Sequence, residues 1–525
     1  MSSEAITEKR DPADRWQTPQ EVAPSVMRQD VPTVARVIGV AALVFGFAPG
    51  LLAIVFDKTG TGARIPVGLG LVMALFGLAG MLYHAARDGE LEIRRAYGVF
   101  ALVWLLLAIA HAVYPVEAGV GTAFLPWGYV SLLVGLPFAL VYARNEEDPV
   151  WRQRVIYVIG VTGVVLAGVG LIGGSIKTDF LLSYGLLLSL AGLAYLTCTV
   201  GLAGSESDLG YKTGNLVAAA GALVAIAALG RGLLATYGWL GVPKDPRYLV
   251  TAGILLIGLG LVYATVGLGL ISDRQFIVLT RRELASFFCS PLAYIILIVF
   301  AVIAWIGYAI FATAANISSS RGQPFPEPII HNYIWGFIPI VFVVLSVPLL
   351  TMRLFSEERR TQTLEVLLTA PVEDAAVVLS KFTAAMIMYL LAWLPYGLYL
   401  IALRVEGGTP FDYRPLVAFV LALLISGSGM VAMGLFFSSL TRNQLASGVL
   451  TALGMIALVG IYIVKGFPDL RGTNWVPFLT HFSFLDLWDS SLYGKLHLSE
   501  VISHISFAIF WLFATVKVLE ARKWL

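Results

Sequence analysis

Arg353-Leu-Phe-Ser-Glu-Glu-Arg-Arg-Thr-Gln-Thr-Leu-Glu-Val-Leu-Leu-Thr-Ala-Pro371 is a polar stretch in an otherwise apolar sequence, lying between apolar runs near 335–352 and 376–403. A helix needs about 20 apolar residues to cross about 30 Å of hydrocarbon, and each flanking run is near that length. The stretch between them therefore lies at or outside the membrane surface. Glu357, Glu358, Arg359 and Arg360 cluster near its start. Leu364, Leu367 and Leu368 then recur at the spacing that gives a short helix one apolar face, and Pro371 is placed to end it. Such a helix, held between two spans, is a handle that a soluble partner could grip. The same pattern also fits a solvated loop carrying a charge run.

Composition makes the chain an integral membrane protein. It is 58% hydrophobic and 13% charged, against about 25% charged residues in soluble domains. The formal net charge of +2 comes from basic residues scattered through short loops, which gives no nucleic-acid signal. Cys198 and Cys289 are far apart in the sequence and define neither a disulfide framework nor a metal site.

Residues 1–33 are polar, contain four prolines and have no early apolar core. A disordered cytoplasmic tail is expected there rather than a cleaved signal peptide. Spans are expected near 37–56, 65–84, 97–114, 123–143, 155–173, 180–203, 215–237 and 248–271, forming a first membrane domain over 34–272. Close glycine pairs in several of them (Gly77 and Gly80, Gly168 and Gly170, Gly258 and Gly260) suit tight helix packing in lipid. A second domain, 275–525, has spans near 292–313, 335–352, 376–403, 415–438, 446–465 and 504–519. Its loop at 466–503 carries Trp475, Trp488 and Tyr493, which suit an interfacial segment. The expected fold class is an all-α polytopic membrane protein of about fourteen transmembrane helices. Alternating strand patterns are absent, and backbone polar groups in lipid must be satisfied within helices.

Basic residues in the loops orient the chain. In the first half, ten Lys and Arg fall on the side of the N-terminus and five on the other, which places the N-terminus in the cytoplasm; an even total of about fourteen spans brings the C-terminus to the same side. The second half votes less clearly, with eight basic residues, Lys381 among them, against six, but an even number of spans before residue 275 returns the chain to the cytoplasm and puts 353–371 on the side where ATP is.

Phe276, Ile277, Leu284, Phe287 and Phe288 set against Arg281, Arg282 and Glu283 predict an amphipathic helix over 276–290, unless this segment extends the next span. Arg231 is the one clear intramembrane charge, by default a functional candidate, although its place near a helix end lets it snorkel or find an interhelical partner. No phosphate-binding loop occurs: Gly210-Tyr-Lys-Thr213 lacks the glycine spacing, so ATP binding is not expected in this chain. The six histidines show no metal-ligand spacing, and no cofactor is expected.

Three segments resemble ABC-2 type permeases, particularly the gliding-motility and sodium-efflux or nitrous-oxide-reductase-maturation branches. These are Phe355-Ser-Glu-Glu-Arg-Arg-Thr-Gln-Thr-Leu-Glu-Val-Leu-Leu-Thr-Ala-Pro-Val372, Arg281-Arg-Glu-Leu-Ala-Ser-Phe-Phe-Cys-Ser-Pro-Leu-Ala-Tyr294 and Phe436-Phe-Ser-Ser-Leu-Thr-Arg-Asn-Gln444. The resemblance spans roughly 275–525, in the family's order; residues 1–270 show none. It implies an ATPase-coupling segment formed by Arg353, Phe355, Glu357, Glu358, Arg359, Arg360, Thr363, Glu365, Leu367, Leu368 and Pro371. It also implies an elbow helix carrying Arg281, Arg282, Glu283 and Phe287. Where the family commonly has Gly, this chain has Gln362.

The leading expectation is therefore a multi-pass permease subunit of the cytoplasmic membrane, driven by a separate cytoplasmic ABC ATPase and completed by a second permease copy. A scaffold or force-transmitting subunit driven by the same ATPase is the alternative. A membrane enzyme acting on a lipid-linked substrate would need an outward-facing constellation, for which Glu327 with His331, or Asp486 with Asp489, are the groupings available.

Overall fold

The computed structural model describes residues 33–58, 67–87, 90–118, 124–177, 180–239, 253–288, 290–322, 328–364, 372–406, 414–467 and 475–522. The expected tail, Cys289, Glu327, Glu365, Leu367, Leu368 and Pro371 lie outside the described residues. The described elements are helical, with no strand among them. In chain order they are α1 (Thr33–Ala41), a π-helical turn (Ala42–Phe47), α2 (Ala48–Lys58), α3 (Val67–Arg87), α4 (Leu91–Ala118), α5 (Phe124–Asn145) and α6 (Pro149–Ile176). A second π turn (Leu181–Gly185) leads into α7 (Leu186–Ala203), followed by α8 (Asp208–Tyr237), α9 (Ile254–Ile271), α10 (Gln275–Phe288), α11 (Pro291–Ser320), α12 (Ile329–Ile334) and α13 (Phe337–Thr351). The remainder are α14 (Ser356–Arg360), α15 (Asp374–Glu406), α16 (Arg414–Leu440), α17 (Gln444–Val464), α18 (Trp475–Phe482), α19 (Phe484–Leu492) and α20 (Leu498–Arg522). Twelve helical stretches among the described residues are long and apolar enough to cross a membrane. The spans expected near 65–84 and 123–143 coincide with α3 and α5, and the amphipathic segment is α10.

Local chemistry sets the helix ends. Ser207 Oγ accepts from Gly210 N at 3.0 Å to cap α8, and Asn443 Oδ1 accepts from Leu445 N at 2.9 Å to cap α17. Pro149 and Pro291 stand at first helical positions, where a missing N–H costs nothing.

By packing, the chain divides into Met1–Tyr114 with Ala123–Thr162, and Pro115–Thr122 with Gly163–Leu525. This division does not coincide with the sequence boundary near 272. Within the first unit, Gly77 of α3 abuts the backbone of Phe47, and Phe47, Phe100, Trp104 and Phe138 form an edge-to-face cluster. Within the second, α8 and α9 pack backbone to backbone: a Cβ at Gly260 would lie 2.7 Å from both Ala225 N and Gly221 O. In two of the glycine pairs only one member makes such a contact. Gly170 and Gly260 do, whereas Gly168 and Gly258 face open space.

The C-terminal part of the second unit has its own continuous core, in which Trp393, Phe419, Phe484 and Trp488 interlock edge to face. The Trp488 indole donates to Ser426 Oγ at 2.9 Å, so its buried N–H is satisfied. The interfacial segment expected at 466–503 contains the short helices α18 and α19.

Candidate functional site

Of the polar stretch, Ser356–Arg360 folds as α14, with Glu357 and Glu358 in its first turn and Arg359 and Arg360 in its last, the order that complements the helix dipole. Its leading amides are held by α16: Phe355 N and Ser356 N donate to Ser438 Oγ at 3.0 and 3.2 Å, and that hydroxyl donates to Met352 O at 3.2 Å. Leu354, Phe355 and Leu364 are buried in the core. A five-residue helix is marginal alone; α14 persists because apolar anchors and a neighbouring hydroxyl hold it.

The turn that ends α14 gives the departure at Gln362 a structural meaning. Gln362 has φ 61°, and among the described residues no other non-glycine has positive φ. A left-handed residue just past a helix end is where glycine is favoured. This chain makes the same turn with a side chain, at a cost of about 1 kcal/mol. Thr361 and Thr363 brace it: their hydroxyls lie 3.0 Å apart, and Thr361 Oγ1 donates to Glu357 O at 3.0 Å.

At the centre of the site is a residue that sequence reading counts only among the charges flanking the spans. Lys381, in α15, is buried, and its Nζ contacts Glu358 Oε1 at 2.7 Å and Glu283 Oε1 at 3.0 Å. The ammonium also lies 5.4 Å from the Phe355 ring centroid. One cation thus joins α14, the amphipathic helix α10 and the span α15. Arg353 makes a second link, bonding Ser290 Oγ and lying 5.2 Å from the Phe287 ring centroid.

The sequence-derived residues therefore take different roles. Glu358 faces inward, Glu357 is half-buried, and Arg360 is exposed. Arg359 folds back to donate to Ser439 O at 3.1 Å. In α10, Phe287 is buried and Arg282 exposed, while Arg281 donates to Leu270 O at 2.6 Å and Ser272 O at 2.8 Å, capping the end of α9. Arg231 bonds the Ser175 carbonyl at the end of α6 and so has an interhelical main-chain partner.

The outward groupings pair differently from the sequence expectation. His331 Nε2 lies 3.0 Å from Asp489 Oδ1, between Trp335 and Tyr493, and Asp486 pairs with Lys465. Each acid is occupied by a base, an arrangement that fixes α12, α17 and α19 to one another.

Fold and site together define a polytopic membrane protein whose surface helix is ion-paired to its spans. Residues 307–518, less than half of the chain, match the family model described as ABC-2 family transporter protein, so this part of the chain is similar to the permease-type membrane component of an ABC transporter. The match covers α12 to α19 and most of α20, including α14 and Lys381. No curated protein and no solved structure matches the chain.

Proposed function

We propose that α14 and the turn after it form the docking point for a separate cytoplasmic ATPase subunit, and that a second permease copy completes the transport pathway. One observation carries this reading: the Glu283, Lys381, Glu358 triad ties α14, whose Arg360 is exposed, to two membrane-associated elements. Separating a buried ion pair strands a charge at a cost of about 3–5 kcal/mol. A displacement of α14 is therefore transmitted to α15 and α10 rather than dissipated in a loop. The basic-residue count of the first half and its even number of expected spans put this face in the cytoplasm.

Glu357 and Arg360 are the charges left to meet the partner, since Glu358 and Arg359 are engaged within the chain. The test is co-purification of the ATPase with full-length Glu357→Arg/Arg360→Glu, compared with wild type. Loss of the ATPase from a normally inserted variant supports the reading; retention with full activity removes it. Charge reversal at Glu358 is a poorer test, because it sets a cation against Lys381 and disturbs the chain's own packing.

A further inference from the structure

The end of α16 gathers three arginines from three elements. Arg359 Nη1 and Arg522 Nη2 donate to the same carbonyl, Ser439 O, at 3.1 and 2.8 Å. Arg442, exposed in the turn between α16 and α17, acts electrostatically on both. No carboxylate among the described residues forms an ion pair with any of the three. The partial negative charge of a helix C-terminus, about half an elementary charge, does not balance them, and two guanidinium groups sharing one oxygen leave donors unspent. The cluster is complementary to an anion with several acceptor oxygens.

The surroundings select which anion. α17 and α20 both pack on α16. Phe437 of α16 lies between them, beside Gly454 of α17 and 5.7 Å from the Trp511 ring centroid of α20. From Arg442, α17 presents Leu445, Val449, Leu453 and Ile456, each more than half exposed, in one row. From Arg522, α20 presents Phe513, Phe510 and Ile509, equally exposed, and Leu440 is exposed at the end of the floor. An acidic group capping two apolar rows is the order of parts in a phospholipid.

We propose that Arg359, Arg442 and Arg522 bind the phosphate headgroup of an anionic membrane phospholipid, with its acyl chains along the exposed faces of α17 and α20. Because Arg359 shares α14 with Glu358, bound lipid also fixes where that helix sits.

The measurement is native mass spectrometry of the full chain in detergent, with added phosphatidylglycerol or phosphatidylcholine of matched acyl chains. Wild type should retain phosphatidylglycerol about tenfold more strongly. Arg442→Gln/Arg522→Gln should bring the two lipids to near equality, Arg442→Lys/Arg522→Lys should keep part of the preference, and Arg321→Gln, away from the cluster, should keep all of it. Arg442→Gln alone alters an exposed turn and supplies the reading if the double variant does not survive purification; it should lose part of the preference. Equal retention of both lipids by wild type, or an unchanged preference in the Gln variants, overturns the proposal. So does loss of the co-purifying ATPase from a Gln variant whose lipid preference is intact, which would make the cluster a protein contact.

Discussion

Gln362 and Lys381 are the two residues on which the site's geometry turns, and each is testable alone. Gln362→Gly places glycine where φ is 61°. It should be neutral to stabilising by up to about 1 kcal/mol, whereas Gln362→Val should destabilise the turn by about 1–2 kcal/mol. Hydrogen exchange of the α14 amides reads both changes, and faster exchange in the glycine variant would contradict the strained-turn account. Lys381→Met leaves Glu358 and Glu283 facing a buried space without their cation. A loss of about 3–5 kcal/mol in thermal unfolding is expected, with much of it restored in Lys381→Met/Glu358→Gln/Glu283→Gln, where no stranded charge remains. If the triple variant is no more stable than the single, the ion pairs are not what holds the junction. Lys381 falls within the run expected at 376–403, yet in the sequence it counted only among the basic residues that orient the chain. Its partners were no more legible: Glu283 and Glu358 lie far from it in the chain, and spacing along a sequence says nothing of such pairings.

At the scale of elements, the long helices were legible because lipid forces one solution. An apolar run of sufficient length has nowhere to satisfy its backbone except within a helix, so the expected spans and the observed helices coincide along the described chain. The amphipathic helix α10 was legible for the related reason that its polar and apolar residues separate onto two faces. The short helices α12, α14, α18 and α19 were harder, since they are too brief for periodicity to fix and are held by tertiary contacts such as Ser438 on α14. The same limit explains why Glu358 and Arg359 read as outward charges from sequence, whereas one is paired with Lys381 and the other bonded to Ser439. Glu357→Arg/Arg360→Glu should weaken ATPase association about tenfold and make it less sensitive to salt, measured by co-purification over a salt series. Ser438→Ala should loosen α14 by about 1–2 kcal/mol, because two of its amides lose their acceptor, read as faster hydrogen exchange confined to that helix.

For the whole molecule, the resemblance begins near residue 275, but the contacts do not. Arg281 caps the end of α9 through Leu270 and Ser272, and the π turn at Leu181–Gly185 touches α15. A fragment beginning at Ser272 should therefore insert but unfold at lower temperature than one beginning at Pro149. The longer fragment retains four further spans, and with them the orientation that an even number of spans preserves. The charge-assisted hydrogen bond lost from Arg281 to Leu270 O, the one to Ser272 being kept, accounts for roughly 2 kcal/mol of that difference. The central proposal is that α14 is where an ATPase meets this chain. Its most direct test is site-specific cross-linking in the assembled complex, from a single cysteine at Arg360 with Cys198 and Cys289 replaced by serine, against a control cysteine at Lys495. The account predicts a cross-link from position 360 to the co-purifying ATPase and none from position 495; a cross-link from 495 alone, or none from 360 in a complex that hydrolyses ATP, would contradict it.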